Sequence, residues 1–147
     1  MSDITQEHQP LAAFIQDFRH HMHRHPELSN EEVNTTASIR AVLEKYQIRV
    51  IDLPLKTGLV AEIGGINPGE LVVLRSDIDA LPIEEKSGVD YTSQNPGVMH
   101  ACGHDFHTSA ALGAADFAEN TGRFSFRHGA HSVSGGGRNR SRCPGAD

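Results

Sequence analysis

A short stretch of the chain, MHACGHDFHT at residues 99–108, concentrates side chains that could bind a metal ion. Cys102 and His104 lie two residues apart, so on an extended segment their side chains would project to the same side. A thiolate beside an imidazole is a typical ligand pair for zinc and similar divalent ions. Gly103 removes a side chain where the backbone must pass close to such a site. Cys102 and His104 are therefore candidate metal ligands.

The following helix supplies a third candidate. His107 lies three residues after His104, one helical turn on, so it either reaches the same ion or lines the site. Asp105 is predicted to cap the helix, which should run to about Glu119. The small residues SAALGAA after Thr108 predict close packing of this helix against a neighbour. A Cys-x-His pair is a weak signal alone, because a structural zinc site would also carry a Cys-x-x-Cys pair.

A second acidic cluster, RSDIDALP, strengthens the metal-site interpretation. The apolar run LVVL at residues 71–74 predicts a strand buried on both faces. This strand would deliver Asp77 and Asp79 to its carboxyl end, the edge where open α/β sheets build their sites. Two carboxylates this close repel each other unless a cation or hydrogen bonds compensate. The alternative is a polar loop with two solvated acids, and the Cys-x-His pair favours the metal site.

Three segments occur in a recognisable order: RHPELS at residues 24–29, LRSDIDALPI at 74–83 and MHACGHDFHT at 99–108. Over about residues 10–119 the chain resembles the metal-dependent amidohydrolases. These are the branch of the aminoacylase/carboxypeptidase-type metallopeptidases that holds hippurate hydrolases, N-acyl-amino-acid amidohydrolases and plant auxin-conjugate hydrolases. The resemblance implies the N-terminal part of a three-layer α/β catalytic domain with a central, mostly parallel sheet.

The resemblance also implies chemistry: two divalent metal ions that hydrolyse small-molecule N-acyl amino acids or related amides. Zinc, manganese, cobalt and nickel all suit such a mixed ligand set. Cys102 and His104 match the family's first two ligand positions. Asp79 matches an acid that orients a ligand or supports the metals, and Asp77 fits a partner for a ligand imidazole. An intact family member should continue with two glutamates, two histidines and a dimerisation or lid domain. Such a member can form a homodimer. We find none of them here and expect little or no turnover.

Composition narrows the function classes. The 147 residues suffice for one domain with a core, and the net charge is −6. Residues 1–119 carry 8 Lys and Arg against 18 Asp and Glu, which argues against nucleic acid as a partner. No apolar run approaches the roughly 18 residues of a membrane span, and the polar N-terminus is not a secretory signal. Two cysteines predict no disulfide framework, and a thiolate ligand suits the reducing cytoplasm.

Residue patterns predict the remaining elements. After a flexible arm at residues 1–9, apolar residues at helical spacing predict a helix over 10–24, ended by Pro26. The sequence SNEE at 29–32 predicts a capping box that starts a second helix, which runs to about Tyr46. Further predictions are strands at 48–51 and 59–63 and a polar loop over the edge of the site at 84–98.

Four histidines crowd the end of the first helix: His20, His21, His23 and His25. They form either a metal-binding tract or a solvated helix end, where partly protonated imidazoles suit the negative pole of the dipole. We favour the helix end, because no acidic or thiol partner lies in register with them.

Residues 120–147 differ from the rest of the chain, with five Arg against one Asp and many Gly and Ser. No helical or strand period is evident. They form either a basic tail for RNA or anionic surfaces, or a source of further ligands in His128, His131 and Cys143. Our preferred hypothesis is a frame shift near residue 120, because the family's Gln-Pro-Ala-Glu-Glu segment is missing there.

Two alternatives belong to other function classes. A non-catalytic metal-binding or interaction protein with a basic tail would hold metal through Cys102, His104 and a further histidine. A cysteine nucleophile at Cys102 would need a well-placed base and an oxyanion hole, and a base only two residues away is poorly placed for this role.

Overall fold

The computed structural model describes residues 9–64, 72–121 and 129–134. Within these ranges the elements are, in chain order, α1 (Gln9–Arg24), α2 (Val33–Lys45), β1 (Arg49–Ile51), β2 (Leu59–Ile63), β3 (Val73–Asp77), α3 (His104–Thr121) and β4 (Gly129–Ser134). The strands form a sheet in the order β1-β2-β4-β3. The predicted α/β class is confirmed. The described sheet is mixed rather than mostly parallel, because β4 pairs antiparallel with β2 and parallel with β3.

The core forms where helices and strands present apolar residues at the period of their own geometry. On β2, Leu59, Ala61 and Ile63 alternate inward, as a strand with one buried face requires. On α2, Ile39 and Leu43 lie one turn apart and are almost fully buried. The cluster is completed from other elements by Phe18, Met22, Ile48, Ile78, Leu112 and Ala115.

Helices α1 and α3 pack closely together. Gly113 of α3 faces Ile15 of α1, and a Cβ atom built at this glycine would overlap the Ile15 side chain. The predicted close packing of the small-residue helix is therefore confirmed. It fixes α3, which begins at His104, against the helix that carries the histidine tract.

The start of α2 corrects the predicted capping box. The N-cap residue is Glu32, whose side chain makes no capping bond and is fully buried. Instead the carboxylate of Glu27 reaches across the turn and accepts hydrogen bonds from the backbone amides of Asn34 at 3.1 Å and Thr35 at 2.7 Å. These amides belong to the first turn, which has no partners within the helix. A remote acid satisfies them because the bend after Leu28 brings it there.

The prediction that the apolar run before Asp77 is buried on both faces is wrong for its described part. Val72, Val73 and Leu74 are 52%, 56% and 42% exposed. The reason is topological: β3 is an outer strand of the described sheet, so a run suited to a sheet interior lies at an edge. Residue 71 lies outside the described residues.

The C-terminal segment contains a strand that its residue pattern did not predict. Residues 129–134 form β4, which pairs through its backbone with strands on both sides. The sequence GAHSVS at 129–134 contains one β-branched residue and no Phe, Tyr or Trp, so its composition gives little strand signal. Residues 1–8, 122–128 and 135–147, including His128 and Cys143, lie outside the described residues. None of the described helices is long and apolar enough to cross a membrane.

Candidate metal centre

Backbone hydrogen bonds bring the three sequence segments together. The amide of Ala80 donates to the carbonyl of Glu27 at 2.8 Å, which joins the first segment to the second. Leu81 and Met99 exchange amide-to-carbonyl bonds of 2.9 and 3.0 Å, which join the second to the third. Three segments that are far apart in sequence therefore meet at one place, beside the end of β3.

Side-chain hydroxyls anchor α3 to the end of β3. Thr108 donates to the carbonyl of Asp77 at 3.1 Å, and its hydroxyl lies 3.0 Å from that of Ser76. Both hydroxyl residues are buried. The first turn of α3, which carries His104 and His107, is thereby held against the strand that delivers the two aspartates.

His104 is held by Asp79. Its Nδ1 lies 2.8 Å from the carbonyl oxygen of Asp79 and 2.9 Å from the carboxylate Oδ1, with hydrogen-bond geometry to the carbonyl. A carbonyl can only accept, so Nδ1 carries the hydrogen and the lone pair of the neutral ring lies on Nε2. A metal-binding histidine usually donates the N–H of its other ring nitrogen to a carboxylate or a carbonyl, which fixes the orientation of the ring. The geometry thus presents Nε2 as a ligand atom.

Asp77 lies in a different environment from Asp79. Its carboxylate oxygen is 2.6 Å from a guanidinium nitrogen of Arg75, and its side chain is 35% exposed against 7% for Asp79. Asp79 is therefore the aspartate held against His104. A role for Asp77 as the partner of another ligand imidazole stays a prediction.

Cys102 and His107 are exposed beside His104. The segment at Cys102 is a turn rather than the extended strand that we expected, and Gly103 completes it with a φ of +75°. The Cys102 thiol is free, and the ring centroids of His104 and His107 lie 6.1 Å apart. Across the described ranges no three His, Cys, Asp or Glu side chains converge as a metal-binding group. Cys102 and His107 therefore stay predicted ligands.

A buried ionic cluster, which was not predicted from the sequence, is centred on His23. Its Nδ1 lies 2.8 Å from Asp105 Oδ2, and its Nε2 lies 2.9 Å from Glu85 Oε1. The expectation that the tract had no acidic partner is therefore wrong for His23, because both partners come from distant segments. Asp105 lies inside α3 and directs its carboxylate to His23 and Arg19, so the predicted capping role is also wrong.

Hydrogen bonds keep Glu85 ionised in this cluster. Burial raises its pKa, but hydrogen bonds from Ser87, Ser93 and His23 outweigh burial, so the pKa lies below its ordinary value. Glu85 thereby organises the polar loop at 84–98, which we expected to lie over the edge of the site.

The other tract histidines lie in separate environments. His20 stacks on Tyr91 with ring centroids 3.9 Å apart. The ring centroids of His21 and His25 lie 4.9 Å apart. Burial, followed by the nearby His25 and Arg24, lowers the pKa of His21. Protonation of His21 at the helix end is therefore weaker than we expected.

His100 is a second buried imidazole near the centre. It is 3% exposed, and neither ring nitrogen has a hydrogen-bond partner among the described residues. Burial lowers its pKa to about 4, with Asp105 opposing and His23 and His104 reinforcing the shift. His100 is therefore neutral at pH 7, between the His23 cluster and His104.

Comparisons with known proteins show which family the chain is similar to. Residues 73–133 match the family model described as peptidase family M20/M25/M40. An N-acetyl-L-cysteine deacetylase of Bacillus subtilis is 56% identical over 97 residues, which cover 66% of this chain and 23% of the relative. An N-acyl-L-amino acid amidohydrolase of Geobacillus stearothermophilus is 40% identical over 126 residues, covering 81% and 34%.

A solved structure shows the same fold. The YXEP protein of Bacillus subtilis, described as a dinuclear metal binding peptidase from the M20 family, superposes with a TM-score of 0.82 at 40% identity. The superposition covers 85% of this chain and 35% of that protein. Residues 73–133 therefore match peptidase family M20/M25/M40, and the chain is similar in sequence and fold to part of the proteins of that family. It spans only about a quarter to a third of the length of these relatives.

Proposed function

We propose that the protein is a metal-dependent amidohydrolase that cleaves N-acyl amino acids or related amides to an acid and an amine. The observation that carries this proposal is the Nδ1 of His104 held 2.8 Å from the carbonyl of Asp79, which leaves Nε2 to bind a metal. Cys102 and His107 are the further proposed ligands. The dinuclear metal site named for the structural relative supports two divalent ions in the whole protein.

The chain's residues fit the chemistry of such a site. A bound divalent ion would polarise the amide carbonyl and make a water more acidic. Asp79 fixes the tautomer of His104, and the thiolate of Cys102 would offset positive charge at the centre. The mixed sulfur and nitrogen donors suit zinc, manganese, cobalt or nickel.

The negative charge of the chain supports a small-molecule substrate, and the exposed thiol of Cys102 supports a reducing compartment. The acidic balance of residues 1–119 disfavours nucleic acid, and the relatives are named for N-acyl amino acids. The exposed thiol of Cys102 stays reduced most readily in the cytoplasm, where we place the protein.

A non-catalytic metal-binding role for the 147-residue chain is the second candidate. It is favoured by the finding that the described residues bring together fewer than three ligands. Loss of a general base alone typically lowers rates by about 10² to 10⁴. We therefore expect this chain by itself to bind metal weakly and to hydrolyse N-acyl amino acids little or not at all.

A chimera separates the two candidates. Residues 10–119 would replace the matching segment of the Bacillus subtilis N-acetyl-L-cysteine deacetylase, and release of cysteine from N-acetyl-L-cysteine would be measured with added Zn²⁺ or Mn²⁺. We expect the chimera to retain activity and to lose it with Cys102→Ser or His104→Ala. A folded chimera without activity would contradict the amidohydrolase proposal and favour the non-catalytic role.

A further inference from the structure

We propose that His23 is a positioning residue of the metal centre: bridged between Asp105 and Glu85, it fixes the start of α3 and thereby the orientation of His104. This inference rests on the proposed function, because it concerns the same centre. It assigns a role to a member of the histidine tract that the chemistry described above does not use.

The bridge is buried and joins three parts of the chain. His23 lies on α1, Asp105 on α3 and Glu85 in the loop at 84–98. The two ring nitrogens lie 2.8 and 2.9 Å from the carboxylates, whose side chains are 1% and 2% exposed. One imidazole therefore ties together residues that are 62 and 82 positions away from it in sequence.

Both ring nitrogens of His23 face carboxylate oxygens, which only accept hydrogen bonds. The ring therefore holds the Asp105 and Glu85 side chains on its two sides. Arg19, whose Nε lies 3.4 Å from Asp105 Oδ2, adds a positive charge beside this carboxylate. Removal of one partner from such a buried set leaves an uncompensated charge, which forces neighbouring groups to move.

The bridge acts on His104 through the backbone. Asp105 follows His104 directly and is held by its side chain on one face of the helix. The Nδ1 of the neighbouring His104 lies 2.8 Å from the carbonyl oxygen of Asp79. Two anchors on adjacent residues leave the first turn of α3 little freedom to rotate. The amide of His107 closes that turn by donating a hydrogen bond of 3.0 Å to the carbonyl of Gly103.

The test uses variants that keep side-chain volume. His23→Gln can donate to only one carboxylate and turns its oxygen toward the other. The double variant His23→Gln/Glu85→Gln restores complementarity, because the amide group introduced in place of Glu85 can donate to the oxygen introduced in place of His23. The oxygen of that same new side chain still accepts from the backbone amide of Ser93. The matched control is His20→Gln on the same helix, which removes the ring stacked on Tyr91.

Co²⁺ is the probe, and its dissociation constant and visible absorption spectrum are measured on the 147-residue chain after circular dichroism has verified folding. We expect His23→Gln to weaken Co²⁺ binding by roughly 10- to 100-fold and alter the spectrum. The double variant should recover to within about threefold of wild type, and His20→Gln should match wild type. A folded His23→Gln with wild-type affinity and spectrum overturns the proposal, as does a folded double variant that binds weakly. If neither variant folds, the bridge serves the fold and the proposal is wrong.

Hydrogen exchange of the His107 amide in the metal-free chain separates this inference from the proposed function. A wild-type chain that takes up no Co²⁺ contradicts the metal centre itself. The inference about positioning is then judged by exchange: we expect faster exchange in folded His23→Gln and recovery in the double variant. Unchanged exchange overturns it.

Discussion

Residue types and spacing were enough to propose metal ligands, whereas contacts between distant segments could not be predicted. Cys102 and His104 could be picked out because a thiol and an imidazole two residues apart are informative in the sequence itself. The role of His23 could not be predicted, because Glu85 and Asp105 are 62 and 82 residues away. No local pattern signals a contact over such separations.

Neutral His100 makes the stability of the metal-free chain depend on pH. Its pKa is about 4 in the folded chain and 6.5 in an unfolded one, so the unfolded state binds the proton first as the pH falls. The stabilisation is fully present above pH 6.5 and is lost between pH 6.5 and 4, with a total on the order of 3 kcal/mol.

Urea unfolding at pH 7, 6 and 5 checks this prediction. His100→Gln does not titrate, so its free energy of unfolding should fall less steeply over this range than that of wild type. Equal slopes for the two proteins would contradict the buried, neutral state of His100.

At the scale of elements, residue patterns predicted α1, α2, β1, β2 and α3 within a few residues. The same reasoning placed the cap of α2 on the wrong residue. A capping box is read from neighbours in sequence, whereas the observed cap, Glu27, comes from the preceding segment. The strand β4 was also not predicted, because its sequence contains only one β-branched residue, Val133.

The cap predicts the effect of a single substitution in the metal-free chain. Glu27→Ala should lower the free energy of unfolding by about 1 kcal/mol, because two amides of the first turn of α2 lose their acceptor. Glu31→Ala, at an exposed position beside the same helix, is the control and should change stability by less than about 0.5 kcal/mol. Equal losses in the two variants, measured by urea unfolding, would show that Glu27 is not the cap.

The outer strand β3 predicts self-association. Exposed apolar residues on an outer strand favour pairing with another chain, and charged residues prevent it. Light scattering after size-exclusion chromatography should show oligomers that decrease in the double variant Val73→Lys/Leu74→Lys. Ile63→Lys, at a buried position of β2, should instead unfold the chain. Oligomers of unchanged size in the double variant would show that the chains associate through a surface other than β3.

At the scale of the whole molecule, three short segments carry the resemblance to the family, and the fold brings these segments together. The bonds from Ala80 to Glu27 and between Leu81 and Met99 bring them to one place. The chain spans about a quarter to a third of its relatives, so this place supplies part of the metal centre that we propose.

The most direct test is a Co²⁺ titration of the 147-residue chain, followed by the thiolate-to-cobalt charge-transfer band in the near ultraviolet. The band should appear in wild type and in Cys143→Ser, should be absent in Cys102→Ser, and should need higher Co²⁺ concentrations in His104→Ala. A band that survives Cys102→Ser, or no band in the wild-type chain, would contradict a metal centre built on Cys102 and His104.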